Sequence, residues 1–349
     1  MRPRDNIRSA AAQYIPRMNV LVIVEGGLVE TLQASPLVRS LAALEGAQVS
    51  IACPPAAVEV AAQIPGVVEA LGLAALAPRG ATPDSLLRGW LALRRRRFHA
   101  AAVCASGSAA PALAFFAGIP RRAGVASGVA TLLLTDHVER EHRVNRAALW
   151  LRLAHVLGVA EPAAQPGFVP SPAARRVAEE RMLATGFEDG RLMVAVAPGN
   201  GFADPVPSVP SRSLAWEPER HAHLCNELSR RHGAGIVVLG TPQDRIYADT
   251  MLLDVESPVL DLCGEMEDLD AVAAVLERCD LLVSGDSPLL HLAAAVGTPS
   301  VGLFGPTEGS LRAPCGPQHR VVQALDGASP SLRQIRVDDV LAGIESPIA

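Results

Sequence analysis

A strand that stops at a small polar turn and runs straight into a helix is a place where a chain can hold an anion. Residues 281–295, LLVSGDSPLLHLAAA, have this form. Gly285, Asp286 and Ser287 make the turn, and Pro288 suits the first helical position. The free N–H groups and the dipole of such a helix start favour phosphate. His291 follows on the second turn, five residues after Asp286. The same spacing describes an ordinary cap with a packed histidine, and residue types alone do not separate the two. A second exit, Pro198-Gly199-Asn200-Gly201, is small enough to let backbone approach a ligand, or is a plain turn. Asp244 lies beyond the next strand end, where a carboxylate binds ribose hydroxyls or simply faces water. Near the start of the chain, Glu25-Gly26-Gly27 leads to Glu30 and Thr31. A carboxylate there is stabilised by the helix dipole; facing a cleft, it would be a general base.

Other chemistries are excluded by what the chain lacks. All 31 basic residues are arginine, so no Schiff base and no phosphate-loop lysine is available. His221 and His223 fall on different faces of one helix, and Asp136, His137 and His142 lack i, i+4 spacing. No metal site and no cofactor is expected. The six cysteines form no C-x-x-C pair and sit mostly in apolar runs. They read as buried thiols of a reducing cytosol.

The elements that must position these residues alternate between strand and helix. Buried strands are expected at 19–24, 48–53, 100–104, 192–197, 235–239, 281–284 and 300–304. Helices are expected between them, including 56–64, 86–97, 109–117, 218–231, 269–278 and 289–296. This alternation implies parallel, doubly wound α/β sheets. The stretch 161–172, with four prolines, reads as a linker. The expected organisation is an extension at 1–17, domains at 18–165 and 173–325, and a tail at 326–349. Ligands in such sheets sit at the carboxyl ends of the strands. With 349 residues, 49% apolar and 19% charged, the chain can bury two large cores. A net charge of −5 and only 3% aromatics argue against a nucleic-acid partner. The charge-free run 100–120 contains Ser106, Gly107, Ser108 and Pro111 and fits strand, loop and helix better than a membrane span. The four arginines at 94–97 suit a solvated helix end, or contact with anionic lipid.

Taken in order, these pieces resemble the bacterial heptosyltransferases of glycosyltransferase family 9. The resemblance runs from NVLVIVEGGLVETLQASPLVRSL through RRRRFHAAAV, GIPRRAGV and HRVNRAALWLRLAHVLG in the first half. It continues through VAVAPGN, WEPERHAHLCNEL, IVVLGTPQDR, the long segment from LDLCGEMEDL to GLFGPT, and CGPQHRVV. It implies a GT-B fold, two Rossmann-like domains facing across a cleft. It also implies an inverting, metal-independent transfer of a sugar from a nucleotide donor, ADP-heptose-like, to a glycan or glycolipid acceptor. On that resemblance Glu30 is the base, and Arg212 and Ser287 hold the diphosphate. Asp286 and His291 shape the donor site with Gly199 and Asn200, and Asp244 and Glu267 hold the nucleoside. The resemblance implies a cytoplasmic protein, with the inner face of the membrane as a peripheral contact. Three departures accompany it: the family's Gly-Asp is Val29-Glu30, its lysine position before Trp216 is Leu214, and Pro288 replaces a residue with an N–H. They leave open a homologue that binds a nucleotide sugar without transferring it, or a nucleotide-sugar epimerase.

Overall fold

The computed structural model describes residues 18–126, 128–141, 143–185, 187, 190–199, 215–266, 268–324 and 331–345. The segment 1–17, and with it His142, Asn200, Arg212 and Glu267, lies outside the described residues.

The first lobe runs β1 (Met18–Val24), α1 (Leu28–Gln33), α2 (Ser35–Ala42), β2 (Ala47–Cys53), α3 (Val58–Ala62), β3 (Val67–Gly72), α4 (Pro83–Arg94), β4 (Ala100–Cys104), α5 (Ala109–Phe116), β5 (Arg121–Ala126), β6 (Asp136–Glu139) and α6 (Arg146–Val156). Its six strands lie in the order β3-β2-β1-β4-β5-β6, all parallel. The second lobe runs α7 (Pro172–Leu183), β7 (Met193–Ala197), α8 (Pro218–His232), β8 (Gly235–Val238), α9 (Arg245–Leu252), β9 (Val259–Asp261), α10 (Leu269–Leu276), β10 (Leu281–Gly285), α11 (Pro288–Val296), β11 (Ser300–Phe304), α12 (Gly309–Arg312), β12 (His319–Gln323) and α13 (Val337–Glu345). Its sheet order is β12-β11-β10-β7-β8-β9, again parallel. Both sheets reverse strand order once, between β1 and β4 and between β7 and β10. Those switch points open crevices at the carboxyl ends of the strands.

Both faces of each sheet are covered, and this explains the continuous apolar strands. In β1, Val20, Val22 and Val24 enter one core layer while Leu21 and Ile23 enter the other. In β7, Ala195 and Ala197 face one layer and Val194 and Val196 the opposite one. The expected helix at 56–64 is a turn followed by the short α3, and the arginine-rich helix ends at Arg94, three residues earlier than expected. Arg97 takes the left-handed conformation at φ 51° and turns the chain into β4. Asp136 and His137 belong to the edge strand β6. Residues of the expected tail pack: Val337, Val340 and Leu341 of α13 enter a core layer of the second lobe.

The lobes are tied by more than the connecting chain. Leu32 of α1 and Val60 of α3 lie in the same buried cluster as Leu289, Leu290 and Leu292 of α11. The proline-rich stretch is strapped to both sides. Gly167 N–H donates to Ser35 Oγ at 3.1 Å, Arg39 donates to Gln165 and Pro166 carbonyls, and Phe168 N–H donates to Ala295 O at 2.9 Å.

Candidate active site

On the first lobe the site grows from the β1 switch point. Glu25 directly follows β1, and its carboxylate accepts the N–H groups of Ser106 and Gly107, at 3.2 and 2.9 Å, just past β4. This pins the β4 exit to the β1 exit. Gly26 follows with φ 134°, a conformation that favours glycine. A Cβ there would stand 2.6 Å from Glu30 Cγ, so glycine also makes room for the Glu30 side chain to fold back. Glu30 Oε2 accepts Gly27 N–H at 2.9 Å, capping α1, and Oε1 takes a charged hydrogen bond from Arg146. The Glu30 side chain retains 19% of its exposure. The capping role and the position at the seam between the lobes are therefore both present in one carboxylate.

Asn145 brings Arg146 to this point. Its Oδ1 accepts Ala147 N–H at 3.0 Å and caps α6, while its Nδ2 donates across the seam to Ala313 O at 2.8 Å. Ala313 directly follows Arg312, the last residue of α12. One asparagine thus sets Arg146 of the first lobe beside Arg312 of the second. Arg312 Nε donates to Asp286 Oδ2. Two like-charged arginines close together are costly unless each has its own carboxylate, and Glu30 and Asp286 supply them. Between the lobes lies a cavity of about 300 Å³, lined by Ser106, Arg140, Arg146 and Trp150 from one side and Leu311 and Arg312 from the other.

The second lobe's exits differ in part from expectation. Ser287 is the N-cap of α11, but its hydroxyl pairs with Ser284 Oγ at 2.9 Å and caps nothing. Pro288 has no N–H to give, and Leu290 N–H turns back to Ser287 O at 3.2 Å. The helix tip is therefore poor in free donors. It is also largely covered, with Asp286 8% and Ser287 4% exposed. His291 is buried, which pushes its pKa down to about 4, with Arg312 adding to the shift and Glu30 opposing it. It is neutral near pH 7. Gly199 lies two residues past β7, with the Asp244 carboxylate packed against it. Asp244 is not the exposed carboxylate that its position beyond β8 suggested. It is 4% exposed, and Oδ2 accepts both the N–H and the hydroxyl of Thr241 at 2.8 Å. Its placement holds the β7 and β8 exits together.

The structure thus brings together Glu30, Asp286, Ser287 and His291, and sets Gly199 against Asp244 inside the second lobe. His221 is buried edge-on against Trp216, with ring centroids 4.8 Å apart, while His223 is exposed. Among the described residues no group of His, Cys, Asp and Glu could hold a metal ion. Sequence reasoning missed Arg146, Arg312 and Asn145. Arg146 meets a carboxylate 116 positions away, and nothing local marks that pairing.

This architecture has clear relatives. The family model for glycosyltransferase family 9 (heptosyltransferase) matches residues 86–339. The chain belongs to glycosyltransferase family 9. The family 9 chain is 27% identical over 248 residues to lipopolysaccharide heptosyltransferase 2 of Escherichia coli K12, covering 67% of this chain and 68% of that one. A family 9 glycosyltransferase structure from Veillonella parvula aligns at TM-score 0.78 and 17% identity over 94% of this chain and 96% of its own. An E. coli heptosyltransferase solved with ADP aligns at TM-score 0.71 and 19% identity, over 94% and 99%. The fold is GT-B, and as a family 9 member the protein is a glycosyltransferase.

Proposed function

We propose that this protein transfers heptose or a related sugar from a nucleoside diphosphate, ADP-heptose-like, to a glycan or glycolipid acceptor, inverting the anomeric centre without a metal. The observation that carries the reading is the seam itself, where the Glu30–Arg146 pair of the first lobe stands across from His291 and the Arg312–Asp286 pair of the second. The acceptor hydroxyl gives its proton to Glu30 as its oxygen attacks the anomeric carbon. The bond to the diphosphate breaks on the opposite face, and its electron pair leaves with the phosphate oxygen. Charge growing on that oxygen needs cations or N–H donors. With few free N–H groups at the α11 tip and no lysine in the chain, arginine takes this role: Arg212 by resemblance and Arg312 by position. A guanidinium can hold two phosphate oxygens at once. Gly199, Asn200 and Ser287 border the donor, His291 shapes its pocket as a neutral ring, and Glu267 reaches the nucleoside. Asp244 supports Gly199 from behind. We place the protein in the cytoplasm.

Replacing Glu30 by Gln tests this. The amide oxygen keeps the bond from Gly27 N–H but cannot accept the proton. Transfer should fall by about 10²–10⁴-fold, with donor affinity within about twofold. Unchanged transfer removes Glu30 from the mechanism. Thermal shift with ADP-, GDP- and UDP-sugars identifies the donor, since a specific ligand stabilises the fold as its excess rises. A second reading, donor binding without transfer, is favoured by one observation: both Glu30 oxygens are already engaged, by Arg146 and by Gly27. Wild-type protein that binds a donor but neither transfers nor hydrolyses it would establish that reading.

A further inference from the structure

The turn after β1 holds two carboxylates, and the proposed transfer uses one of them. Glu25 directly precedes Gly26, and the Glu30 side chain folds back over that glycine: a Cβ on Gly26 would stand 2.7 Å from Glu30 Oε2. Like charges flanking one glycine repel each other. Each is compensated separately. Arg146 and Gly27 N–H take up the two oxygens of Glu30. Ser106 and Gly107 N–H converge on a single oxygen of Glu25, Oε2. Glu25 Oε1 has no partner among the described residues.

Pinning the β4 exit does not require a charge. An amide oxygen accepts the same two N–H groups without the repulsion. What the carboxylate adds is its second oxygen. Gly107 leaves room for that oxygen, since a Cβ there would stand 2.9 Å from Oε1. Ser106 borders the cavity between the lobes that Arg146 and Arg312 also line. Glu25 itself is half-buried at the carboxyl end of β1, beside the switch point where ligands of such sheets lie. Held by two N–H groups, the carboxylate is already oriented and loses little freedom on taking one more bond.

A carboxylate oxygen accepts hydrogen bonds and offers none. It suits a sugar hydroxyl and repels a phosphate or a second carboxylate. We propose that Glu25 is an acceptor-binding residue: Oε1 takes a hydroxyl next to the one that attacks, and so turns the attacking oxygen toward Glu30. The acceptor it selects is a sugar with a free hydroxyl beside the nucleophile, and one bearing an anion at that place is excluded. The inference rests on the transfer reaction proposed above and adds to it a residue and a substrate requirement.

The test compares wild type, Glu25→Gln and Gly107→Ala, with ADP-heptose as donor and the core oligosaccharide of deacylated lipopolysaccharide as acceptor. Sugar transfer and donor hydrolysis are followed together. Glu25→Gln keeps an oxygen for Ser106 and Gly107, so Tm should stay within about 2 °C of wild type. Its other end becomes a donor. Acceptor kcat/KM should fall on the order of 10–100-fold, the range of a hydrogen bond to a charged group, mostly through KM. The ratio of transfer to hydrolysis should fall at least ~10-fold, because water presents no second hydroxyl. Gly107→Ala keeps the charge and displaces it, and should lower acceptor kcat/KM roughly three- to tenfold. Equal transfer by wild type and Glu25→Gln would overturn the inference and leave the transfer reading intact. A wild type that transfers nothing overturns that reading and the inference with it. Transfer and hydrolysis falling together would make Glu25 a structural pin or the base itself, and would also overturn the inference.

Discussion

Replacing Gly199 by alanine probes how the exits of β7 and β8 are built together. A Cβ on Gly199 would stand 1.9 Å from Asp244 Oδ1 and 2.3 Å from its Cγ. Ordinary contact begins near 3.4 Å, so the carboxylate must retreat by about 1.5 Å. That retreat breaks the two bonds it accepts from Thr241, each 2.8 Å long. Hydrogen bonds to a charged group contribute ~1.5–3 kcal/mol each, and a displaced carboxylate recovers part of this elsewhere, which leaves a cost of ~3–4 kcal/mol. For a lobe of this size Tm should fall by about 6–16 °C. The backbone at Gly199 is not left-handed, so alanine adds no strain of its own. The assay is thermal unfolding of four proteins: wild type, Gly199→Ala, Asp244→Gly and the double variant. Asp244→Gly removes the whole side chain, including the Cβ that would stand 2.5 Å from the new methyl, so Gly199→Ala should add less than ~0.5 kcal/mol on that background. An equal cost with and without Asp244 would refute the steric argument.

Acid should loosen the fold through three buried histidines. Burial pushes His221, His291 and His319 each down to about 4, against 6.5 when unfolded. Between those values the unfolded chain binds more protons, so stability is complete above pH 6.5 and is lost as pH falls toward 4. At pH 5 each histidine accounts for on the order of 2 kcal/mol of that loss. Tm measured from pH 7.5 to 5 should drop, and His221→Asn should flatten the slope by about a third; an unaltered slope would show that His221 is not among the titrating groups. Thiol chemistry gives a further check. Burial pushes the Cys53, Cys225 and Cys279 thiols up to about 12, and Cys104 is raised as well, while Cys315 is only partly buried. Ellman's reagent should modify Cys315 first in the native protein and all six cysteines in denaturant, and fast native labelling of Cys104 or Cys279 would contradict the packing.

The strands that sequence reasoning found are those buried on both faces. MNVLVIV of β1 and MVAVA of β7 are continuous apolar runs because helices cover both sides of the sheet. The five strands it passed over, β3, β5, β6, β9 and β12, lie toward the edges of the sheets, and burial alternates or stops in VVEALG of β3, DHVE of β6 and HRVVQ of β12. Those residues carry charge because one side meets water, and the apolar signal is diluted. The site divides in a similar way. Glu30 and the Gly285–Ser287 turn were legible because strand exit and helix start are local patterns. Arg146 and Arg312 were not, because their meaning comes from Asn145 reaching Ala313, a contact 168 residues apart in the chain. Asp244 shows the converse. Its position beyond a strand was read correctly, but exposure cannot be read from position.

Leu32 stands two residues beyond the proposed base, with 1% exposure, among side chains of the opposite lobe. Separating the lobes would wet this leucine, a cost of ~2 kcal/mol from this one side chain, added to the loss of the Asn145–Ala313 hydrogen bond. Because the same short helix carries Leu32 and Glu30, the carboxylate's place at the seam is anchored by an apolar contact with the opposite lobe.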